Sequence, residues 1–212
     1  MVDLKQLHDA IVNGNSKKAV AITQKAIAEK MDPGELIANT MIPAMAEVGR
    51  LFECEEYFVP ELLLSGRAMK GALDLLRPLL SASGAKSAGR VVIGTVKGDL
   101  HDIGKNLVVS MLEGGGFEVI DVGADVPPVK FIAALKDTNA RILALSALLT
   151  VTMPSMKTTI EALKAAGIRE KVKVMIGGAP VTQEFADEIG ADGYSENANS
   201  AVALARRLMA SV

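Results

Sequence analysis

The sequence predicts an α/β protein in two parts: a four-helix bundle over residues 1–80 and, past a linker at 81–89, a doubly wound, Rossmann-like parallel sheet over 90–212. Three observations predict it. Up to about residue 80 the apolar residues recur at helical spacing with no strand-like alternation. The stretch Ser81–Gly89 is all small or polar, the composition of a domain boundary. Beyond it, apolar runs of strand length alternate with helical segments, the grammar of βα units.

Leu4, Leu7, Ile11 and Val12 form the first helical stripe, which ends in the turn Asn13-Gly14-Asn15. Ser16 is placed to cap a second helix carrying Ala19, Val20, Ile22, Ala26 and Ile27. Asp32-Pro33 opens a third, because proline suits a first helical turn; Ile37, Met41, Met45 and Val48 continue it, with Pro43 inside as a kink or a break. Pro60 begins a fourth, halted near Pro78. Strands are then expected at Val91–Val96, Phe117–Val122, Ile142–Ser146, Val172–Ile176 and Gly193-Tyr194, with helices between them. Strands apolar throughout belong in a parallel sheet covered on both faces. Five such units favour the order 2-1-3-4-5, whose reversal between strands 1 and 3 places ligands beyond the carboxyl ends of those strands.

Composition narrows the function. With 23 basic and 25 acidic residues and a net charge of −2, no basic face for nucleic acid is expected. No apolar run is long enough for a membrane span. The first residues do not read as a signal peptide, and a single cysteine, Cys54, fits a reducing cytoplasm. Cys54 lies among Glu53, Glu55 and Glu56, which disfavour its thiolate, and His8 reads as a surface residue.

The candidate chemistry lies at the strand ends. The first strand runs into Lys97-Gly98-Asp99-Leu100-His101-Asp102-Ile103-Gly104. Taken alone, this is first a helix start capped by Asp99 or Asp102; the alternative is an imidazole ligand with a carboxylate on its second nitrogen. Strand 3 ends in Ser146-Ala-Leu148-Leu-Thr-Val-Thr152, which alone is a turn and a helix cap. Strand 4 ends in Gly177-Gly178, either a tight turn or bare backbone for a ligand.

Together, Asp99-x-His101-x-x-Gly104, a gap of 41 residues, Ser146-x-Leu148, a gap of 28 residues and Gly177-Gly178 resemble the signature of the cobalamin-binding fold. In the helical half, Val48-Gly-Arg-Leu-Phe52 followed by Tyr57-Phe-Val59-Pro-Glu-Leu62 is similar to the cap that precedes that fold in methionine synthase. In length and domain order the chain looks most like the free-standing corrinoid proteins serving methanol, methylamines or methoxylated aromatics.

The resemblance implies cobalamin, as methylcobalamin or a related corrinoid, bound with its own base displaced. His101 is then the lower cobalt ligand, Asp99 its hydrogen-bond partner and Thr152 the third relay member, where the family has a hydroxyl six residues after Ser146. Asp102, Ile103 and Gly104 adjoin the cofactor, Ser146 and Leu148 line the channel for its nucleotide tail, and Gly177 and Gly178 pack near the base. Phe52, Val59 and Leu62 fall where the cap covers the methyl-bearing face; Val59 replaces the leucine of methionine synthase. The implied function is a methyl carrier, not catalytic alone. Its implied partners are a substrate-specific methyltransferase, a second methyltransferase serving the acceptor, and a reductive activase. The alternatives are the cobalamin subunit of an adenosylcobalamin-dependent mutase, a cobalamin-based sensor, and a receiver domain of the same strand order. The bundle speaks against the first and the lack of an output segment against the second. Ser146, where a receiver needs aspartate, speaks against the third.

Overall fold

The computed structural model describes residues 2–83 and 87–211. These divide into a helical unit, residues 1–87 with 113–116, and an α/β unit holding the rest.

The helical unit contains α1 (Leu4–Val12), α2 (Ser16–Ala28), α3 (Pro33–Leu36), a π-helical segment (Ile37–Met41), α4 (Ile42–Glu53) and α5 (Val59–Ser83). Asp3 caps α1 by accepting from the backbone N–H groups of Lys5 and Gln6. Asn15, rather than the expected Ser16, caps α2 by accepting from Lys18. An Asn side chain serves the N-cap as well as Ser does, and Ser16 becomes the first helical residue instead. Asp32 caps α3 with Pro33 just inside it, as the sequence predicts. The break expected at Pro43 takes the form of the π-helical segment, after which Pro43 falls in the first turn of α4, where no N–H donor is needed.

Pro78 does not halt α5, which runs through it to Ser83 and so takes the first three residues of the expected linker. Proline's fixed φ is itself helical, so a long helix can survive one missing donor. Residues 84–86 of that linker lie outside the described residues. Leu7, Ile11, Met41, Leu62, Met69 and Leu76 are all but fully buried. Ser65 Oγ, itself buried, donates to the carbonyl of Val12 at 2.8 Å and ties α5 to the end of α1.

The α/β unit runs β1 (Arg90–Thr95), α6 (Ile103–Gly114), β2 (Glu118–Asp121), α7 (Pro128–Thr138), β3 (Ile142–Ser146), α8 (Pro154–Ala165), β4 (Lys173–Gly177), α9 (Gln183–Ile189), β5 (Gly193–Ser195) and α10 (Ala198–Met209). All neighbouring strands are parallel, in the predicted order β2-β1-β3-β4-β5. The register sets Thr95 beside Ser146 and Ser146 beside Gly177, which brings three strand ends level. Alternate residues fill two cores. Val92, Leu143, Leu145, Val174 and Ile176 pack with Phe131 of α7, Met156 and Ile160 of α8 and Ile189 of α9. Val91, Ile93, Ile142, Ala144 and Met175 pack with Leu112 of α6 and Leu204 and Leu208 of α10. Both faces are covered over the central strands β1, β3 and β4, which is why these read as largely apolar runs, whereas the edge strand β2 carries Glu118 and Asp121 at its exposed ends. Each buried Leu, Ile, Val or Phe side chain contributes about 1.5–3 kcal/mol. Among the described residues no helix is long and apolar enough to cross a membrane.

Candidate functional site at the carboxyl ends of β1 and β3

Past Thr95 the chain leaves β1 as a loop that is held at both ends before α6 begins. Val96 donates its backbone N–H to Ser146 O (3.0 Å), Asp99 N donates to Val96 O (3.1 Å), and Thr95 Oγ1 donates to His101 O (3.0 Å). These bonds turn the Asp99 carboxylate inward, where it is fully buried, and leave the His101 side chain 51% exposed.

Burial alone would raise the pKa of Asp99. Its hydrogen bonds outweigh that. Thr152 Oγ1 donates to Oδ2 at 2.6 Å, and Leu148 N and Leu149 N donate to the same oxygen at 2.8 and 3.3 Å. On Oδ1 converge His101 N at 3.0 Å and His101 Nδ1 at 2.8 Å. Together they hold the carboxyl well below the usual carboxylate range, so it is an anion near neutral pH. An anion there makes Nδ1 the protonated ring nitrogen and turns the lone pair of Nε2 outward. Nε2 takes no hydrogen bond from the described residues.

The residues singled out in the sequence thus fall into distinct groups. Asp99, His101, Thr152 and the backbone of Leu148 form one hydrogen-bonded cluster. Ser146 and Gly177 end the neighbouring strands β3 and β4, and Gly178 follows directly. Gly178, at φ +134, packs so closely that a Cβ there would stand 1.9 Å from the carbonyl oxygen of Ala147. Asp102 begins α6 through its carbonyl, which accepts from Asn106 N at 2.8 Å; Asp99 does not cap that helix. Ile103 is 73% exposed, and at Gly104 a Cβ would meet nothing within 4 Å. Phe52, Val59 and Leu62 belong to the helical unit, where Leu62 is fully buried, Phe52 half-buried and Val59 exposed.

Two features escaped sequence reasoning. Lys105, one residue past Gly104, is buried and pairs with Asp121 at the end of β2, also donating to Asn106 Oδ1 at 2.9 Å. Asp125, in the loop after β2, accepts from Gly98 N at 2.7 Å. Both pairings depend on where β2 ends beside β1, which no local pattern encodes.

Several exposed large apolar side chains gather on the same loops: Leu100, Ile103, Leu148, Leu149 and Val151. Exposed apolar clusters of this kind mark binding surfaces. Among the described residues no three His, Cys, Asp or Glu side chains gather to hold a metal ion. The donor set is therefore one outward imidazole nitrogen amid apolar surface. It fits a metal whose remaining ligands come with a flat organic macrocycle, and does not fit a bare ion caged by protein.

Comparison with known proteins covers nearly the whole chain. Two family models match, each described as a B12 binding domain, one over residues 89–203 and the other over residues 3–77. The chain is 46% identical over 208 residues to dimethylamine corrinoid protein 1 of Methanosarcina acetivorans, covering 98% of this chain and 97% of that one. A crystal structure of a cobalamin-binding protein from Desulfitobacterium hafniense is 36% identical, with a TM-score of 0.79 and coverage of 98% of this chain and 99% of that one. A chain of the methanol:cobalamin methyltransferase complex from Methanosarcina barkeri is 32% identical, with a TM-score of 0.85 and coverage of 99% and 80%.

Proposed function

The chain belongs to the corrinoid proteins built on B12 binding domains, and on that premise we propose that it is a methyl carrier whose His101 Nε2 is the lower ligand of cobalt in a cobalamin bound with its own base displaced. The observation that carries this reading is the half-exposed imidazole whose Nδ1 lies 2.8 Å from the buried, ionised Asp99.

Bound there, the corrinoid would supply a cobalt centre able to accept and release a methyl group. The chain's own residues do the rest. Asp99 fixes the tautomer and the ring orientation, and Thr152 with the Leu148 and Leu149 amides keeps the carboxylate in place. A metal and a proton compete for the single lone pair of Nε2. Ligation and protonation are thereby linked at one nitrogen. Leu100, Ile103, Leu148 and Leu149 offer apolar contact to the macrocycle, and the open space at Gly104 gives room for its nucleotide tail. Ser146, Gly177 and Gly178 are proposed to line that tail's path at the neighbouring strand ends. Asp102 is proposed to adjoin the cofactor through its backbone at the start of α6.

We assign the helical unit the task of shielding the reactive face, through Phe52 and Val59, whereas Leu62, fully buried, supports them only from the core of that unit. The partners proposed are a substrate-specific methyltransferase that loads the carrier, a second that unloads it, and a reductive activase. Support for the first is the solved methanol:cobalamin methyltransferase complex that contains a similar chain.

Mixing the purified protein with hydroxocobalamin and passing it through gel filtration tests the reading. The protein should elute with an equimolar amount of corrin, and His101→Ala should change its visible spectrum. A colourless protein overturns the proposal.

A further inference from the structure

The loop that carries His101 is held on two sides, and only one of them is the Asp99–Thr152 cluster. On the other side lies the connection from β2 to α7. It continues the pairing of β2 with β1 past the last strand residues: Val122 N donates to Ile93 O (2.9 Å), Thr95 N to Gly123 O (2.9 Å) and Val126 N to Thr95 O (3.0 Å). One residue of this connection grips the histidine loop itself. Asp125 N donates to Asp99 O at 2.9 Å, while Asp125 Oδ1 accepts from Gly98 N at 2.7 Å.

Asp125 does this in a left-handed conformation, at φ +52, which most residues with a Cβ avoid and which Asp and Asn tolerate best after glycine. Gly98, its partner, is itself left-handed at φ +87. The base of the same connection is fastened separately, with Asp121 accepting from Gly123 N at 2.9 Å and pairing with the buried Lys105.

We propose that Asp125 is a positioning residue for His101: it fixes Gly98 and the backbone of Asp99 from the β2 side, and so sets the direction in which Nε2 points. The proposal deepens the assignment of His101 as the lower ligand and rests on it for its meaning. Its first test, however, needs no corrinoid.

In the corrinoid-free protein labelled with ¹⁵N-histidine, NMR reports the tautomer of His101 and the exchange of its Nδ1 proton. Asp125→Gly relieves the backbone strain and removes the carboxylate. Asp125→Asn keeps an acceptor and tolerates the same backbone. Asp125→Gly should speed exchange of the Nδ1 proton roughly tenfold, the loss of one charge-assisted hydrogen bond in the loop, and Asp125→Asn should stay near the parent. With cobalamin added, Asp125→Gly should leave corrin retained while a smaller share of Co(II) shows histidine nitrogen coupling by EPR. Parent-like exchange and coupling in a folded Asp125→Gly protein would overturn the proposal, as would equal loss in both variants. Should the parent itself show no histidine coupling, the assignment of His101 as ligand fails, whereas the exchange measurement still decides the role of Asp125.

Discussion

Asp99 is the residue on which the site turns, because its two oxygens serve different masters. One orients the imidazole, and the other receives two backbone amides and a hydroxyl from the β3–α8 loop. Its folded pKa lies below the unfolded value of about 3.9. The ionised form therefore stabilises the fold at pH above that value, and this contribution is lost as pH falls through the folded pKa. Asp99→Asn should accordingly cost corrinoid-free protein most stability near neutrality, with the gap to the parent closing below about pH 4 in urea unfolding. A gap unchanged across that range would mean that the buried group is not an anion. Thr152→Val removes one donor from a buried carboxylate and should cost about 1.5–3 kcal/mol, while Thr152→Ser, which keeps the hydroxyl, should cost clearly less in the same melts. The resemblance to the cobalamin-binding signature, rather than any local pattern, singled out Asp99, His101 and Thr152 in the sequence. It did not locate Asp125 or Lys105, because each meets a partner from a distant segment, Gly98 in the loop after β1 and Asp121 at the end of β2.

At the scale of elements, two glycines separate what the fold needs from what an occupant needs. Gly178 turns the end of β4 against Ala147 with no room for a Cβ and at a positive φ. Gly104 sits in the first turn of α6 with nothing near it, although glycine in a helix costs about 0.5–1 kcal/mol relative to alanine. Gly178→Ala should therefore destabilise corrinoid-free protein by more than about 3 kcal/mol, since backbone must shift. Gly104→Ala should stabilise it slightly and weaken corrin retention, as measured by thermal unfolding and by equilibrium dialysis. Strand order and strand positions were legible because the central strands β1, β3 and β4 are apolar runs buried on both faces and bounded by turn residues. Helix ends were legible where a capping side chain stood before a proline, as at Asp32-Pro33. They were misread at Ser16, where Asn15 is an equally good cap, and at Pro78, where the length of α5 outweighs one lost donor.

At the scale of the whole molecule, the two halves differ in composition, which is why the change near residue 80 shows in the sequence. Each unit exposes apolar side chains: Phe58, Val59, Leu63 and Leu64 in the helical unit, and Leu100, Ile103, Leu148, Leu149 and Val151 in the α/β unit. All of the proposed ligand and tail-binding residues lie between 99 and 178, so residues 90–212 alone should bind the corrin, and adding it should reduce the fragment's binding of a hydrophobic dye. A folded fragment that takes up no corrin would show that the helical unit completes the site.

Co(II) EPR of cobalamin-loaded protein decides the claim that His101 binds cobalt. The chain has only two histidines, His8 and His101. Labelling with ¹⁵N-histidine should convert the nitrogen splitting from triplets to doublets, and the change should persist in His8→Ala and vanish in His101→Ala. An identical splitting in labelled and unlabelled protein would contradict the claim, because the axial nitrogen would then belong to something other than a histidine.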